Sequence, residues 1–216
     1  MTAAEAEDAG LARVAALLER HGGDLLALAA ASIRYPLAGR TLAVQPDEAP
    51  AGLAAPGAAF ITLMREGSLR GCVGSHRAWR PLVTDVIENA AAAASSDPRF
   101  PPLATEELAG LGLSVSVLTP ATPIAATTEA EVVQSLRPGR DGVILIDGAC
   151  RGLFLPQMWE QLPSPPEFLR WLKRKAGLPE THWSPTVRVA RFETLSVKVE
   201  DIAALADPAP FAPRVN

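Results

Sequence analysis

The hydrophobic pattern of this chain changes period partway along, and that change restricts the folds open to it. Up to Ile33 the apolar residues recur at helical spacing. Leu11, Val14, Leu17 and Leu18 make one stripe, and Leu25, Leu26, Leu28 and Ala29 continue it. Gly22-Gly23 reads as a break between two helices, with Asp24 as cap of the second. The segment 35–56 carries Pro and Gly throughout and reads as a loop. Beyond it the pattern turns to strands. Residues 58–64 and 68–73 flank a turn at Arg65-Glu66-Gly67 and predict a hairpin. In residues 111–118, Leu113, Val115 and Val117 alternate with Gly112, Ser114 and Ser116, as in a strand with one buried face. Residues 142–146 and 152–155 flank Asp147-Gly148 as a second hairpin, and 187–199 adds one or two strands.

Helical runs interleave with these strands. One follows Pro81 over 82–94 and stops at Ser95-Ser96-Asp97-Pro98. A capping box at Thr128 and Glu131 opens a short helix through Leu136. A second box at Ser164 and Glu167 opens another, with Pro165 in first position and a stop at Gly177. The 20 Pro and 16 Gly are dispersed between these segments, which implies many short elements with tight connections. Strand pairs outnumber βαβ units, so the fold class expected is α+β, with antiparallel sheets and flanking helices. No internal repeat is visible.

A length of 216 residues suits one domain, or two intimately joined subdomains, over 1–206, with a Pro-rich tail at 207–216. Disorder does not fit a chain that is 48% hydrophobic. A net charge of -4 supplies no general attraction for phosphate backbones, so no nucleic-acid partner is expected. Cys72 and Cys150 are too few for a disulfide scaffold or a four-ligand zinc site, and no metal or cofactor is expected. The acidic start MTAAEAEDAG lacks signal-peptide character, and no apolar stretch reaches the length of a membrane span. The expectation is a cytoplasmic chain that does not enter the membrane. A homodimer would be unsurprising, since symmetric oligomers are common, and nothing in the sequence requires one.

The densest chemistry lies in Leu69-Arg70-Gly71-Cys72-Val73-Gly74-Ser75. Glycine within a strand marks a bulge or a close approach of backbone or ligand. Arg70 brings a forked cation that favours a thiolate, and Gly74 lets backbone N–H groups converge on an anion. One reading makes Cys72 a nucleophile with Arg70 as anion binder. The other makes it a small structural cysteine in a hairpin. Strand alternation places Leu69, Gly71 and Val73 on the core side and Arg70, Cys72 and Gly74 opposite, unless a register slip or a bulge at Gly71 reverses the assignment. His76 is either a base for Cys72 or a surface imidazole. Asp97 and Arg99 either orient a polar site or serve turn chemistry. His21 and His182 read as structural or solvated. Trp79, Trp159, Trp171 and Trp183 read as fillers of subdomain contacts, and Arg170, Lys173, Arg174 and Lys175 as a solvated face. The sequence has no GxGxxG or GxxxxGK[ST] phosphate loop.

Gly57, Phe60-Ile61-Thr62-Leu63, Gly67 and the hexapeptide LRGCVG resemble the signature hairpin of the AMMECR family, whose bacterial members are called protein A of the AmmeMemoRadiSam system. Asp97-Pro-Arg-Phe-Pro-Pro-Leu103, Glu107-Leu108 and Ser114-Val-Ser-Val-Leu118 match its central stretch. Gly152-Leu-Phe-Leu-Pro-Gln157, Phe168-Leu169, Lys175-Ala-Gly-Leu178 and Trp183 match its later part. The resemblance runs from about Leu25 to Val199. It implies an α+β fold of two subdomains with a cleft near the hexapeptide, and no settled biochemical activity. Carried onto this chain, it makes Arg70, Gly71, Cys72 and Gly74 candidate functional residues, and Asp97 and Arg99 matches without a role. His76 lies outside the pattern. The system's name implies two partners, a Memo-like protein and a radical S-adenosylmethionine protein. The chain has no CxxxCxxC with which to hold an iron–sulfur cluster of its own. Two function classes stand open: an enzyme or enzyme subunit using the Cys72 thiol, and a non-catalytic binding or scaffold module.

Overall fold

The computed structural model describes residues 2–40, 42, 44 and 49–207, so most of the tail expected at 207–216 falls outside it. The elements run α1 (Ala3–Leu37), α2 (Ala51–Ala54), β1 (Pro56–Gly57), β2 (Ala59–Arg65), β3 (Ser68–Gly74), β4 (Arg80–Pro81), α3 (Leu82–Ser95) and β5 (Leu111–Leu118). There follow β6 (Thr122–Pro123), α4 (Glu129–Ser135), β7 (Gly142–Asp147), β8 (Cys150–Phe154), α5 (Pro165–Lys175), β9 (Arg188–Phe192) and β10 (Thr194–Val199). The class is α+β, with every registered strand pair antiparallel. Two compact units emerge. A framing unit combines Val14–Leu118 with Leu195–Asn216, and an inserted unit combines Met1–Arg13 with Thr119–Thr194.

The helix break expected at Gly22-Gly23 does not occur, and α1 runs on for 35 residues. A glycine in a helix interior costs about 1 kcal/mol relative to alanine, a small sum against burying Leu25, Leu28, Ala29 and Ile33. Gly22 is there for space, since a Cβ on it would meet Val197 Cγ1 at 2.7 Å. Asp24 caps nothing and lies 3.1 Å from His21 Nδ1.

In the framing unit the sheet order is β10-β5-β2-β3. Ala59, Ile61, Leu63, Leu113, Val115 and Val117 turn one face towards α3 and the inner side of α1, and together these residues make the core. The expected β2–β3 hairpin is present. Glu66 (φ 51) and Gly67 (φ 75) are both left-handed, the signature of a type I′ turn whose twist matches its strands. The register slips between Leu63, opposite Gly71, and Met64, opposite Leu69, so Arg70 is the extra residue of a β-bulge. The bulge carries Leu69 to the outer side beside Met64, with 39% and 37% exposure, correcting its placement in the core. Gly71 and Val73 stay on the core side, opposite Leu63 and Ile61. β5 also departs from expectation. Ser116 and Gly112 are buried as well as the apolar alternates, so this strand is covered on both faces.

The inserted unit has a second sheet, ordered β6-β9-β7-β8. Its core joins Val143, Leu145 and Val189 to Phe168, Leu169 and Leu172 of α5, with Trp159 stacked on Phe168 at 3.8 Å between centroids. The Thr128–Glu131 capping box forms as expected. Ser164 makes no capping bond, because Pro165 and Pro166 remove donors from the first turn. α5 ends in a Schellman motif, with Gly177 at φ 80 and Leu178 N–H donating to Lys173 C=O at 2.9 Å. Lys173 corrects the solvated-face reading: it is 1% exposed and forks onto Glu129 at 2.9 and 3.0 Å. Trp79 and Trp171, read as buried fillers, are 67% and 40% exposed.

The two units share a plan that the sequence conceals. Each has a hairpin, then a helix, then a strand that pairs with the hairpin's first strand: β2-β3-α3-β5 and β7-β8-α5-β9. In each, an Arg-Gly glycine lies opposite a leucine, Gly71 by Leu63 and Gly152 by Leu145. In each, that glycine meets a helix carbonyl, and an added Cβ would lie 2.3 Å from Ala93 O or 2.7 Å from Leu172 O. An architectural repeat is therefore present, carried by too few shared residues to show as a sequence repeat.

Candidate functional site

Everything around Cys72 follows from β3 being an edge strand, paired on one side by β2 and bare on the other. Cys72 stands opposite Thr62, and its N–H and C=O point away from β2. That makes the pair one of the non-hydrogen-bonded kind, in which side chains approach more closely. Thr62 Oγ1 accordingly donates to Cys72 Sγ at 3.6 Å. By the same alternation, Gly71 and Val73 give their backbone groups to the ladder with Leu63 and Ile61.

The bare edge is filled by the turn after α3. Asp97 Oδ2 accepts the Cys72 N–H at 2.8 Å, and Arg99 Nη2 donates to Cys72 C=O at 3.2 Å. Asp97 and Arg99 also grip each other, with Nε to Oδ1 at 2.9 Å and Nη2 to Oδ2 at 2.7 Å. The Arg99 fork holds the nearly buried Asp97 carboxyl well below the usual carboxylate range, and the Cys72 N–H adds to this against the opposing effect of burial. Asp97 and Arg99 thus stand in for a neighbouring strand over one residue, tying the DPRF stretch to the hexapeptide. Arg99 is also the cation near the Cys72 side chain, and its bonds to Asp97 hold the guanidinium charged.

Arg70, displaced by the bulge, reaches a different partner. Its Nε and Nη2 donate to Glu107 Oε1 and Oε2 at 2.7 and 2.9 Å, with Nη2 also 3.4 Å from Pro102 C=O. Glu107 further accepts the Ala104 N–H at 2.9 Å and pairs with Arg65 at 3.2 Å. The Arg70 fork, then the Ala104 N–H, hold the Glu107 carboxyl down to about 2. Phe100 lies between the arginines, its ring centre 5.8 Å from the Arg70 guanidinium and 5.5 Å from that of Arg99.

The glycines serve packing. Gly71 admits the Ala93 carbonyl, and a Cβ on Gly74 would meet the Phe60 ring at 2.3 Å. Cys72 is half-buried, on the sheet face opposite the core, and His76 is exposed beyond the end of β3. The structure thus gathers Arg70, Gly71, Cys72, Gly74, Asp97 and Arg99 into one neighbourhood and adds Thr62 and Glu107. Glu107 belongs to a matched stretch, yet nothing in its spacing from Arg70 signals the pairing. Among the described residues, no group of three or more His, Cys, Asp or Glu could hold a metal ion, and no helix is long and apolar enough to cross a membrane.

The chain is similar to proteins of several other organisms. A protein of Methanothermobacter thermautotrophicus is 37% identical over 187 residues, covering 84% of this chain and 95% of the relative. One of Thermotoga maritima is 41% identical over 136 residues, covering 62% and 73%. The crystal structure of an uncharacterised protein from Pyrococcus horikoshii superposes with a TM-score of 0.73 at 34% identity, covering 83% of this chain and 91% of the other. The AMMECR1 family model matches residues 26–197, a span that holds the hexapeptide, the Asp97–Arg99 clamp and both hairpins, and on this agreement of sequence and fold the chain belongs to the AMMECR1 family.

Proposed function

We propose that the chain is a non-catalytic binding module of the AmmeMemoRadiSam system, docking the Memo-like or the radical S-adenosylmethionine protein that the family resemblance implies. One observation carries this reading: the polar groups of the hexapeptide are satisfied inside the fold. The Arg70 fork is engaged by Glu107, and both backbone groups of Cys72 are taken by Asp97 and Arg99. Residues so engaged preserve a backbone shape, and a shaped surface is what a partner recognises. The test is Cys72→Ser. Partner co-purification and the output of the reconstituted system are expected to persist. Loss of output with the fold intact overturns the reading.

A second reading, an enzyme or enzyme subunit with Cys72 as nucleophile or substrate-holding thiol, is favoured by the incomplete burial of Cys72 and by Arg99 close to it. In that reading Arg99 takes the place first given to Arg70 as the cation supporting a thiolate. Alkylation followed against pH separates the two. Fast labelling with an inflection below the ordinary thiol range supports the enzyme, and slow labelling with an ordinary inflection supports the module.

A further inference from the structure

The inserted unit contains a cavity of about 600 Å³ far in sequence from the hexapeptide. Ile124, Ile144, Ile146, Trp183, Arg188 and Ala190 are among its lining residues. The register explains four of these. Ile144 stands opposite Ala190 and Ile146 opposite Arg188, so all four share the sheet face turned away from α5. The floor is thus aliphatic with a single cation at one end.

That cation lacks an acidic partner. Arg188 Nη1 donates to the carbonyls of Pro185 and Val187 at 2.8 and 3.0 Å. Among the described residues no carboxylate lies within ion-pair distance of it, whereas Arg70, Arg80, Arg99, Arg137 and Arg191 all have one. The carbonyl bonds hold the side chain in place and leave its charge unbalanced.

The wall bearing Trp183 is built with unusual care. Asp147, at the end of β7, gathers three side chains from alternate positions of one segment. His182 Nε2 and Ser184 Oγ donate to Oδ2 at 2.6 and 3.1 Å, and Thr186 Oγ1 donates to Oδ1 at 2.5 Å. The residue between the first two, Trp183, has its indole N–H on Thr127 C=O at 3.2 Å, bridging the wall to the segment that carries Ile124. A volume of this size, an apolar lining and a few fixed polar groups are the attributes of a small-molecule site.

We propose that this cavity binds a small amphipathic carboxylate, its apolar body over Ile144 and Ile146 against Trp183 and its carboxyl group on Arg188. Charge complementarity selects the class, because a neutral apolar guest would leave the guanidinium unbalanced while a carboxylate takes its fork in two parallel bonds. The test compares 2-naphthoate with its neutral analogue 2-naphthamide by calorimetry, and by chemical-shift changes at the Trp183 indole N–H. Naphthoate is expected to shift that resonance and to bind at least tenfold more tightly than the amide. In Arg188→Gln, an exposed change, the preference is expected to disappear while amide affinity is retained. Ala190→Trp, which fills the cavity, is expected to abolish binding of both. Equal affinities in the wild type, no binding of naphthoate, or a preference that survives Arg188→Gln overturns the proposal. So does binding that leaves the Trp183 resonance unmoved, a readout that needs no variant to fold.

Discussion

Glu107 is the residue on which Arg65 and Arg70 converge, and its dependence on Arg70 sets a measurable cost. Truncating Arg70 removes both bonds of the fork and leaves a largely buried carboxylate with Arg65 and one backbone N–H. Arg70→Ala is expected to lower the unfolding free energy by about 2 kcal/mol, read from urea denaturation. Arg70→Lys recovers only part of this, because an ammonium cannot satisfy both oxygens in one plane. Part of this site was legible residue by residue. The outward position of Cys72 followed from alternation, and the glycines announced a close approach. What hid Glu107 was distance along the chain, since a pair 37 residues apart leaves no periodicity to read. Lys173 was hidden for the same reason, its partner Glu129 lying 44 residues away.

At the level of elements, the two neighbouring glycines of α1 should behave oppositely. Gly23 has nothing within 4 Å of a built Cβ, so Gly23→Ala is expected to stabilise by about 0.5–1 kcal/mol through helix propensity alone. Gly22→Ala gains the same propensity but drives a methyl group to 2.7 Å from Val197 Cγ1, and is expected to be neutral or destabilising. Thermal melts of the two variants decide it, and a stabilised Gly22→Ala would show that α1 and β10 are not so closely packed. This also explains why the helix was misread as broken. Propensity penalises both glycines equally, and only the contact with β10 shows that one was kept for fit. Turn chemistry was the most legible layer, because a Thr–Glu box or a positive-φ glycine is decided within four or five residues. A bulge was foreseen only as an alternative and at Gly71; it falls on Arg70, so it turns Leu69 outward and leaves Cys72 where alternation put it.

For the molecule as a whole, the depressed carboxyls of Asp97 and Glu107 fix the sign of its response to acid. Both titrate in the folded state below their unfolded values near 4. Their stabilisation is therefore complete above the unfolded values and is lost as pH falls through the folded ones. The unfolding free energy is expected to be level near neutrality and to decline from about pH 4.5 to about pH 2 as the unfolded chain takes up more protons. Urea midpoints measured across that range should show a shallower decline in Asp97→Asn and Glu107→Gln. An unchanged slope in both would mean that other groups carry the transition. The α+β class was readable at this scale from counts of hairpins and helices. Two subdomains were expected, but which segments compose each was not readable, since that depends on which strands meet.

The order of the strands also bears on how the chain is made. β5 and β10 are neighbours in one sheet, yet residues 119–193 are synthesised between them. On the ribosome the sheet of the framing unit waits, with one side of β5 uncovered, until β10 emerges. The hairpin β7–β8 and helix α5 are by then already available to fold. Compaction of that segment draws the ends of a long loop together and lowers the entropic barrier to seating β10. A nascent chain halted before Thr194 should accordingly expose a sticky edge, and its release should proceed by adding one strand to a sheet that is otherwise prepared.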